Sequence, residues 1–233
     1  MENIIKQFKT ELDKLSITLT EQQLEQFRIY KDLIQEWNKK FNLTGVSDDA
    51  GIYFRHFLDS LAVVQCVDIQ IIKTVADVGT GAGLPGIPLK IVFPHIKMSL
   101  FDSTKKKCTF LEEVINKLQL SKIEIIAERA ENMPKTIQYD LILTRAVGKM
   151  EKILPYCLPY VQIDGQFIAY KQDNVEEELK EADNILKKLG GSVKKVKKVD
   201  VFDGKEHVKR AFVIICREME CRFGSAQRPY SPE

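Results

Sequence analysis

The chain has 233 residues, of which 44% are hydrophobic and 29% are charged, and its 35 lysines and arginines nearly balance its 33 aspartates and glutamates. This length and composition are typical of a soluble globular domain and exclude a disordered or fibrous protein. No apolar run approaches the length of a membrane span, and the first residues mix acids and lysines with apolar side chains. We therefore expect a cytoplasmic protein without a membrane partner.

The five cysteines are odd in number and widely scattered along the chain. They form no Cys-x-x-Cys pair, and no histidine lies beside them at the spacing of a zinc site. The pattern favours reduced, mostly buried thiols, so we expect neither a disulfide framework nor a metal centre.

Residues 1–65 are predicted to be helical. Thr20 and Gln23 have the spacing of a capping box, and an apolar stripe with helical periodicity follows them. Residues 42–45 break this helix, and either Ser47 or Asp48 caps the next one.

From residue 74 onward, short apolar runs alternate with longer amphipathic ones, which is typical of βαβ units and a mostly parallel sheet. Strands are predicted at 74–78, 96–101, 123–127, 139–144 and 165–170, and helices at 85–92, 104–119, 149–160 and 174–189. Two further strands, 193–201 and 210–216, follow each other without a helix between them. They predict an antiparallel hairpin at the sheet edge, which seven-stranded methyltransferases have and typical dinucleotide-binding folds lack. We predict a helical extension over 1–65, an α/β core over 66–217 and a tail over 218–233.

The first strand leads directly into the glycine-rich turn DVGTGAG of residues 77–83 and then into a helix. Glycines tolerate positive φ and let the backbone approach a ligand, and a helix start presents free N–H groups. Dinucleotide cofactors usually require Gly-x-Gly-x-x-Gly, whereas Gly79, Gly81 and Gly83 have the spacing Gly-x-Gly-x-Gly. Asp77 suits a cationic sulfonium and its amino group better than a pyrophosphate. The turn therefore favours S-adenosylmethionine.

Two acids follow at the ends of the next strands. Asp102 lies 19 residues after Gly83, where a carboxylate accepts hydrogen bonds from ribose hydroxyls. The alternative is that Asp102 caps the helix beginning near Thr104, and the spacing favours the ribose contact. Ala130 and Glu131 lie just past the third strand, beside the expected adenine edge. A solvated Glu131 at a helix start explains that acid equally well.

Basic residues are concentrated near the end of the chain: residues 187–210 hold nine lysines and arginines against three acids. Such a run is usually a solvated face. Because this one lies in a strand-rich segment, it is also a candidate for binding nucleic-acid phosphates.

Several separate motifs resemble a known family. They are WNKKFNLT at 37–44, RHFLDSL at 55–61, DVGTGAGLPGIPLKI at 77–91, Asp102-Ser103 with Lys106-Lys107, Thr144-Arg145-Ala146 and Tyr170-Lys171. In this order they resemble the small-subunit (16S) ribosomal RNA guanine-N7 methyltransferase G family, also called the glucose-inhibited division protein B family, from about residue 20 to 215. The resemblance implies a Rossmann-like class I fold with a seven-stranded, mostly parallel sheet. It also implies S-adenosylmethionine as cofactor and methylation at N7 of a guanosine in the decoding region of the rRNA.

The resemblance further implies roles for individual residues. Positions expected to contact the cofactor or line its pocket are Gly79, Leu84, Ala130, Glu131 and Arg145. Basic positions expected to face RNA or the active site are Lys106, Lys107, Arg129 and Lys171. Lys107 stands where many relatives have arginine, which keeps the charge but loses bidentate phosphate geometry.

The chemistry makes modest demands. Guanine N7 carries an in-plane lone pair, so its attack on a sulfonium methyl needs alignment and a preorganised site rather than a general base. His56, with Asp59 three residues later, is therefore interpreted as a satisfied polar contact beside the cofactor strand. Arg145 and Lys171 are the catalytic candidates, because they end the fourth and fifth strands and would hold guanine O6 or a flanking phosphate.

Three alternatives remain. The first keeps the fold and changes the acceptor to another RNA or a protein, and the second is a nicotinamide-dependent oxidoreductase. The third is a non-catalytic rRNA-binding module. The favoured interpretation predicts a monomer whose partner is small-subunit rRNA or a ribosomal particle.

Overall fold

The computed structural model describes residues 1–134 and 136–217. The tail predicted at 218–233 lies outside the described residues. The regular elements of the first 65 residues are all helices, as predicted, and the described residues that follow form a seven-stranded sheet with helices. No helix in the described ranges combines the length and apolar character that a bilayer span requires.

The amino-terminal helices are α1 (Glu2–Lys14), α2 (Glu21–Asn38) and α3, a composite that is α-helical at Asp49–Gly51, π-helical at Ile52–Leu58, α-helical at Asp59–Leu61 and 3₁₀ at Ala62–Gln65. The predicted capping box starts α2: Thr20 Oγ1 accepts from the Gln23 backbone, and the Gln23 side chain accepts from Thr20 N. Of the two predicted caps for α3, the structure selects Asp48, which accepts from Gly51 N at 2.8 Å.

The remaining elements follow the predicted alternation. They are β1 (Thr74–Val78), α4 (Gly86–Val92), β2 (Lys97–Phe101), α5 (Lys105–Lys117), β3 (Ile123–Ile126), β4 (Tyr139–Arg145), α6 (Met150–Cys157), β5 (Val161–Gln172), α7 (Glu176–Lys188), β6 (Gly191–Phe202) and β7 (His207–Arg217). Short 3₁₀ turns occur at Ala130–Asn132 and Leu158–Tyr160. The predicted antiparallel hairpin is confirmed as β6 and β7.

The fifth strand begins four residues before its predicted start. Val161 pairs with Tyr139, and the register then shifts before Gln166 pairs with Leu141. Asp164 has φ +68° within this interval. Because polar residues interrupt the apolar run, the sequence pattern hides a strand that continues through an irregularity.

The strand order is β3-β2-β1-β4-β5-β7-β6. β1 pairs in parallel with both β2 and β4. The strands β2 and β3 lie on one side of β1 and all later strands lie on the other, so β1 is the point at which the strand order reverses. Open α/β sheets bind ligands at such a switch point, outside the carboxyl ends of the strands. The glycine-rich turn follows β1 at this position.

The sheet buries two separate apolar faces, because successive side chains of a strand point in opposite directions. Val75 packs in one cluster and Ala76 in the other. The first cluster also contains Phe8 of α1, Phe27 of α2 and Phe57 of α3. The amino-terminal helices therefore share a continuous core with the sheet, and the division into 1–65 and 66–217 stays a prediction.

Candidate active site

The glycine-rich turn has a backbone that favours glycine at three positions. Gly79, Gly81 and Gly83 have φ values of +73°, +59° and +86°. A Cβ on Gly79 would lie 2.6 Å from Val147 Cγ2, whereas one on Gly81 would lie 4.0 Å from the Gly79 carbonyl oxygen, its nearest neighbour in the described part of the chain. The first glycine is therefore required by both conformation and space, and the second by conformation alone.

Asp77 stabilises this turn through two hydrogen bonds to its side chain. Its Oδ2 accepts hydrogen bonds from Thr80 Oγ1 at 2.6 Å and from Gly86 N at 2.8 Å. The side chain is fully buried, its Oδ1 has no hydrogen-bond partner among residues 1–134 and 136–217, and burial raises the pKa of its carboxyl to about 6. The geometry therefore gives Asp77 a direct role in shaping the turn.

Asp102 connects the turn to the start of α5. Its Oδ1 accepts from Thr104 N at 2.8 Å, its Oδ2 accepts from Gly81 N at 3.1 Å, and Lys107 Nζ lies 3.4 Å from Oδ2. The side chain is 7% exposed. Thr104, not Asp102, is the N-cap residue of α5, so Asp102 does not cap this helix, and its bond from Thr104 N orders the loop before it. The ribose contact stays a prediction.

A cleft of about 350 Å³ opens beside the turn, at the carboxyl ends of β1 and β2. We call it the glycine-turn cleft. Predicted cofactor and RNA residues that line it are Gly79, Asp102, Lys107, Arg129, Ala130 and Glu131. Its remaining lining includes Phe101, Val147 and Tyr156. The other five predicted cofactor residues do not line the cleft: Asp77, Gly81, Gly83 and Leu84 lie in or beside the turn, and Arg145 lines a neighbouring pocket.

A second pocket of about 320 Å³ adjoins the first, and we call it the Arg145 pocket. It is lined by Val46, Arg55, His56, Asp59, Arg145, Ala146, Tyr170, Lys171, Gln172 and Arg210. Ala146 also lines the glycine-turn cleft, so the two cavities meet at this residue. Ala146 has φ +57°, a conformation that non-glycine residues adopt uncommonly and that often marks functional sites.

Arg145 is bound on several sides by α3. Its Nη1 donates to Asp59 Oδ2 at 2.9 Å and, at 3.3 Å, to both the His56 carbonyl and Ser60 Oγ. Arg210 of β7 donates to the other oxygen of Asp59. The guanidinium therefore joins the end of β4 to the amino-terminal extension, and the sequence motifs contained no spacing that predicts this contact.

His56 is a neutral member of this network. Arg145 Nη2 lies 2.9 Å from His56 Nδ1, and because a guanidinium only donates, Nδ1 accepts. The ring proton then resides on Nε2, which lies 2.6 Å from Thr44 Oγ1. Burial, reinforced by the Arg145 charge, lowers the pKa of His56 to about 3. This agrees with the predicted role of His56 as a satisfied polar contact.

Lys171 closes the pocket on the other side. Its Nζ donates to the Gly148 carbonyl and to Glu178 Oε1, both at 2.6 Å, and its side chain is 13% exposed. Glu178 also accepts from Met150 N. Lys171 therefore ties the loop after β4 to α7 at the edge of the pocket.

Tyr30 of α2 is a residue that sequence reasoning missed. Its hydroxyl donates to the Ala82 carbonyl within the glycine-rich turn, and its side chain is fully buried. A Cβ on Gly83 would lie 2.9 Å from this hydroxyl. In the sequence Tyr30 belongs to an ordinary apolar stripe, so the pattern contains no sign of its contact with the turn.

The predicted RNA-facing lysines differ in their surroundings. Lys106 is exposed on α5, whereas Lys107 lines the glycine-turn cleft. In the basic run at 187–210, Lys198 pairs with Asp173 at 2.9 Å and Lys197 donates to the Gln65 carbonyl. Part of that run is thus engaged in contacts within the protein, and the Lys198–Asp173 pair among them lies at the surface.

Comparison with known proteins identifies the family. The model of a family described as rRNA small subunit methyltransferase G matches residues 23–208. The ribosomal RNA small subunit methyltransferase G of Thermoanaerobacter pseudethanolicus is 48% identical over 180 residues, which cover 76% of this chain and 75% of the relative. The protein of the same name from Listeria monocytogenes is 40% identical over 191 residues, 80% of each chain.

Solved structures agree on the fold. A ribosomal protein L11 methylase from Lactobacillus delbrueckii subsp. bulgaricus has a TM-score of 0.53 at 18% identity, covering 69% of this chain and 77% of its own. A precorrin-6y C5,15-methyltransferase from Geobacter metallireducens has a TM-score of 0.50 at 16% identity, covering 67% and 86%. The predicted Rossmann-like class I methyltransferase fold, with its seven-stranded mostly parallel sheet, is confirmed. Because the family model covers residues 23–208, from α2 through the glycine-rich turn to the start of β7, the chain belongs to the rRNA small subunit methyltransferase G family.

Proposed function

We propose that this protein transfers the methyl group of S-adenosylmethionine to N7 of a guanosine in the decoding region of small-subunit (16S) rRNA. Family membership supports this proposal. The observation that carries it is the meeting of the glycine-turn cleft and the Arg145 pocket at Ala146. Methyl transfer requires such an arrangement, because donor and acceptor must approach along one line.

The residues of the glycine-turn cleft suit the cofactor. Gly79 lines the cleft without a side chain between its backbone and a ligand, and the carboxylates of Asp102 and Glu131 also line it and can accept further bonds from hydroxyl and amine donors. Phe101 and Tyr156 add apolar and aromatic surface for an adenine ring. S-adenosylmethionine supplies a methyl group activated by its sulfonium charge. Ala130 and Glu131 would contact the adenine of the cofactor, and Gly79 would contact its methionine part.

The Arg145 pocket would hold the guanine. N7 attacks with a lone pair that is already free, so the protein need not remove a proton. His56 is consistent with this, because its pKa of about 3 and its two hydrogen bonds leave it without a proton-transfer role near neutral pH. What the pocket supplies is alignment and restricted access of water.

Arg145 and Lys171 remain the proposed residues that hold the base or a flanking phosphate. The Arg145 guanidinium is hydrogen-bonded to Asp59, and the Lys171 ammonium is hydrogen-bonded to the Gly148 carbonyl. Both groups are therefore already oriented before RNA arrives. We expect Arg145→Ala and Lys171→Ala to reduce methyl transfer, with cofactor affinity near normal in Lys171→Ala. Lys149→Ala is the matched control. Lys149 forms an exposed ion pair with Glu181 of α7, the helix that also contains Glu178, the partner of Lys171. Unchanged turnover in both pocket variants would exclude this role.

Affinity for rRNA should come largely from phosphate contacts. The candidates are Lys105, Lys106, Lys107, Arg129 and the basic residues of 187–210. Binding through phosphates releases counterions, so we expect the affinity for rRNA to fall steeply with added salt. RNA binding that is insensitive to salt would argue against these clusters. We further propose that the protein acts as a monomer in the cytoplasm, which sedimentation and fractionation would test.

The direct test is transfer of tritiated methyl groups into rRNA from cells that lack the protein, followed by mapping of the modified base. Label at N7 of one guanosine in the decoding region supports the proposal. Label in another RNA or in protein would change the acceptor. Nicotinamide binding without methyl transfer would indicate an oxidoreductase, and RNA binding without any methyl transfer would indicate a binding module.

A further inference from the structure

A third cavity lies between α3 and the β6–β7 hairpin and has a volume of about 520 Å³. We call it the hairpin pocket. Its floor is apolar: Phe54 and Phe202 meet edge to face with ring centroids 5.0 Å apart, and Val201 and Val208 lie beside them. The volume is within the range of sites that bind small organic groups, about 300–1,000 Å³.

The hairpin pocket continues from the Arg145 pocket. Arg55, Asp59, Gln172 and Arg210 line both cavities. Because the Arg145 pocket meets the glycine-turn cleft at Ala146, the three cavities form one trough along the carboxyl edge of the sheet. If the cofactor occupies the glycine-turn cleft and the target base occupies the Arg145 pocket, the hairpin pocket lies where the RNA chain continues beyond the target base.

The carboxylates of the hairpin pocket are all engaged by other groups. Asp59 binds Arg145 and Arg210, and Asp173 pairs with Lys198 at 2.9 Å. Asp203 accepts hydrogen bonds at 2.9 and 3.0 Å from the backbone N–H groups of residues 205 and 206. These contacts satisfy the acids inside the protein and reduce their repulsion of an anionic ligand.

Two cations of the pocket are available to a ligand. Arg55 and Lys209 are exposed, and within 1–134 and 136–217 neither forms an ion pair within 4 Å. Arg55 acts on Asp203 only at longer range, where its charge adds to the backbone N–H groups that lower the pKa of that carboxyl. The side-chain amides of Gln172 and Asn174 lie at the same pocket and offer donors and acceptors.

We propose that the hairpin pocket binds the nucleotide adjacent to the methylated guanosine in the RNA strand. The apolar floor packs against its base, the amides of Gln172 and Asn174 bond the base edge, and Arg55 and Lys209 contact its phosphate. This combination of an apolar platform and cations is how proteins bind single-stranded nucleic acid. The inference rests on the proposed function, because it takes the neighbouring pocket as the site of the target base.

The first test compares Arg55→Ala and Lys209→Ala with the control Lys6→Ala, an exposed lysine of α1 that lines none of the three cavities and lies outside the basic run. Methyl transfer is measured at varied concentrations of rRNA from cells that lack the protein. We expect the KM for rRNA to rise about tenfold in each pocket variant, with an unchanged Kd for S-adenosylmethionine. Lys6→Ala should stay within twofold of the parent. An equal loss in Lys6→Ala, or no loss in the pocket variants, would overturn the proposal.

The second test is independent of activity. The methyl groups of Val201 and Val208 are followed by NMR while a short single-stranded RNA with a guanosine between two nucleotides is added. Shifts of both methyl signals that are weakened in Lys209→Ala support the pocket, and unchanged signals at saturating RNA contradict it. If the parent protein methylates no rRNA, the proposed function fails. If it methylates rRNA but neither test responds at the hairpin pocket, only this inference fails.

Discussion

Arg145, the last residue of β4, forms an ion pair with Asp59 of α3 at 2.9 Å, across 86 residues of sequence. The Asp59 side chain is 4% exposed, and its second oxygen binds Arg210 of β7. One carboxylate thus links the amino-terminal extension, the strand at the centre of the site and the edge hairpin. The shape of the Arg145 pocket depends on this link.

We predict that Asp59→Asn destabilises the protein by about 3–5 kcal/mol, because it leaves partly buried guanidinium groups without a countercharge. The measurement is the free energy of unfolding in urea. In a double-mutant cycle, Asp59→Asn combined with Arg145→Gln should cost less than the sum of the single changes. Additive losses would mean that the two residues do not stabilise each other.

His56 should make stability depend on pH. Its pKa is about 3 in the folded protein and about 6.5 in the unfolded chain, so the unfolded state binds more protons between these values. The contribution of His56 is complete above pH 6.5 and falls as the pH falls, by about 2 kcal/mol at pH 5. The pKa of Asp77 is raised to about 6, so this group binds a proton more tightly in the folded state and adds stability as the pH falls from 6 to 4. Unfolding of the parent and of His56→Gln from pH 7.5 to 5 separates the two, and a parallel dependence in both proteins would contradict the assignment.

The glycine-rich turn should respond differently at its first two glycines. Gly81→Ala is expected to lower the free energy of unfolding by about 1–2 kcal/mol, because alanine is strained at φ +59°. The site has room for the added methyl group, so cofactor binding should remain measurable. Gly79→Ala adds a collision with Val147 and should abolish measurable cofactor binding. Calorimetric titration with S-adenosylmethionine checks both variants. Equal affinities in the two variants would show that Val147 yields to the added methyl group.

Tyr30 should support cofactor binding from a position outside the cleft. Tyr30→Phe leaves the buried Ala82 carbonyl without its donor, so we expect a loss of about 1–3 kcal/mol in stability and weaker cofactor binding. Tyr53→Phe is the matched control, because the Tyr53 hydroxyl is buried in the same aromatic cluster without a hydrogen-bond partner among the described residues. That change should be neutral or stabilising. A similar loss in both variants would assign the effect to packing rather than to the turn.

The charge of Asp77 can be separated from its hydrogen bonds by Asp77→Asn. The amide oxygen can still accept from Thr80 and Gly86, so the turn is expected to persist. If the negative charge assists the sulfonium, affinity for S-adenosylmethionine should fall by more than affinity for its uncharged product, S-adenosylhomocysteine. Equal losses for the two ligands would leave Asp77 with a structural role alone.

Much of the fold was predictable because its signals are local. The capping box at Thr20, the alternation of strands and helices and the final hairpin each depend on residues a few positions apart. The glycine spacing at residues 79–83 likewise reports a backbone conformation that short-range sterics require. The start of β5 was missed because a register shift interrupts its apolar pattern.

The contacts that shape the candidate site were not predictable from the sequence, because they join distant segments. Tyr30 meets Ala82 across 52 residues, and neither position has a pattern of its own that indicates the other. The π-helical stretch Ile52–Leu58 precedes Asp59, and no periodicity in the sequence announces its wider turns. Local chemistry thus determined the elements and the backbone of the glycine-rich turn, and the class of cofactor is a prediction made from the same local spacing. Only the tertiary structure decided that the amino-terminal helices form one wall of the site, since burial and pairing of distant charges exist only once the chain has folded.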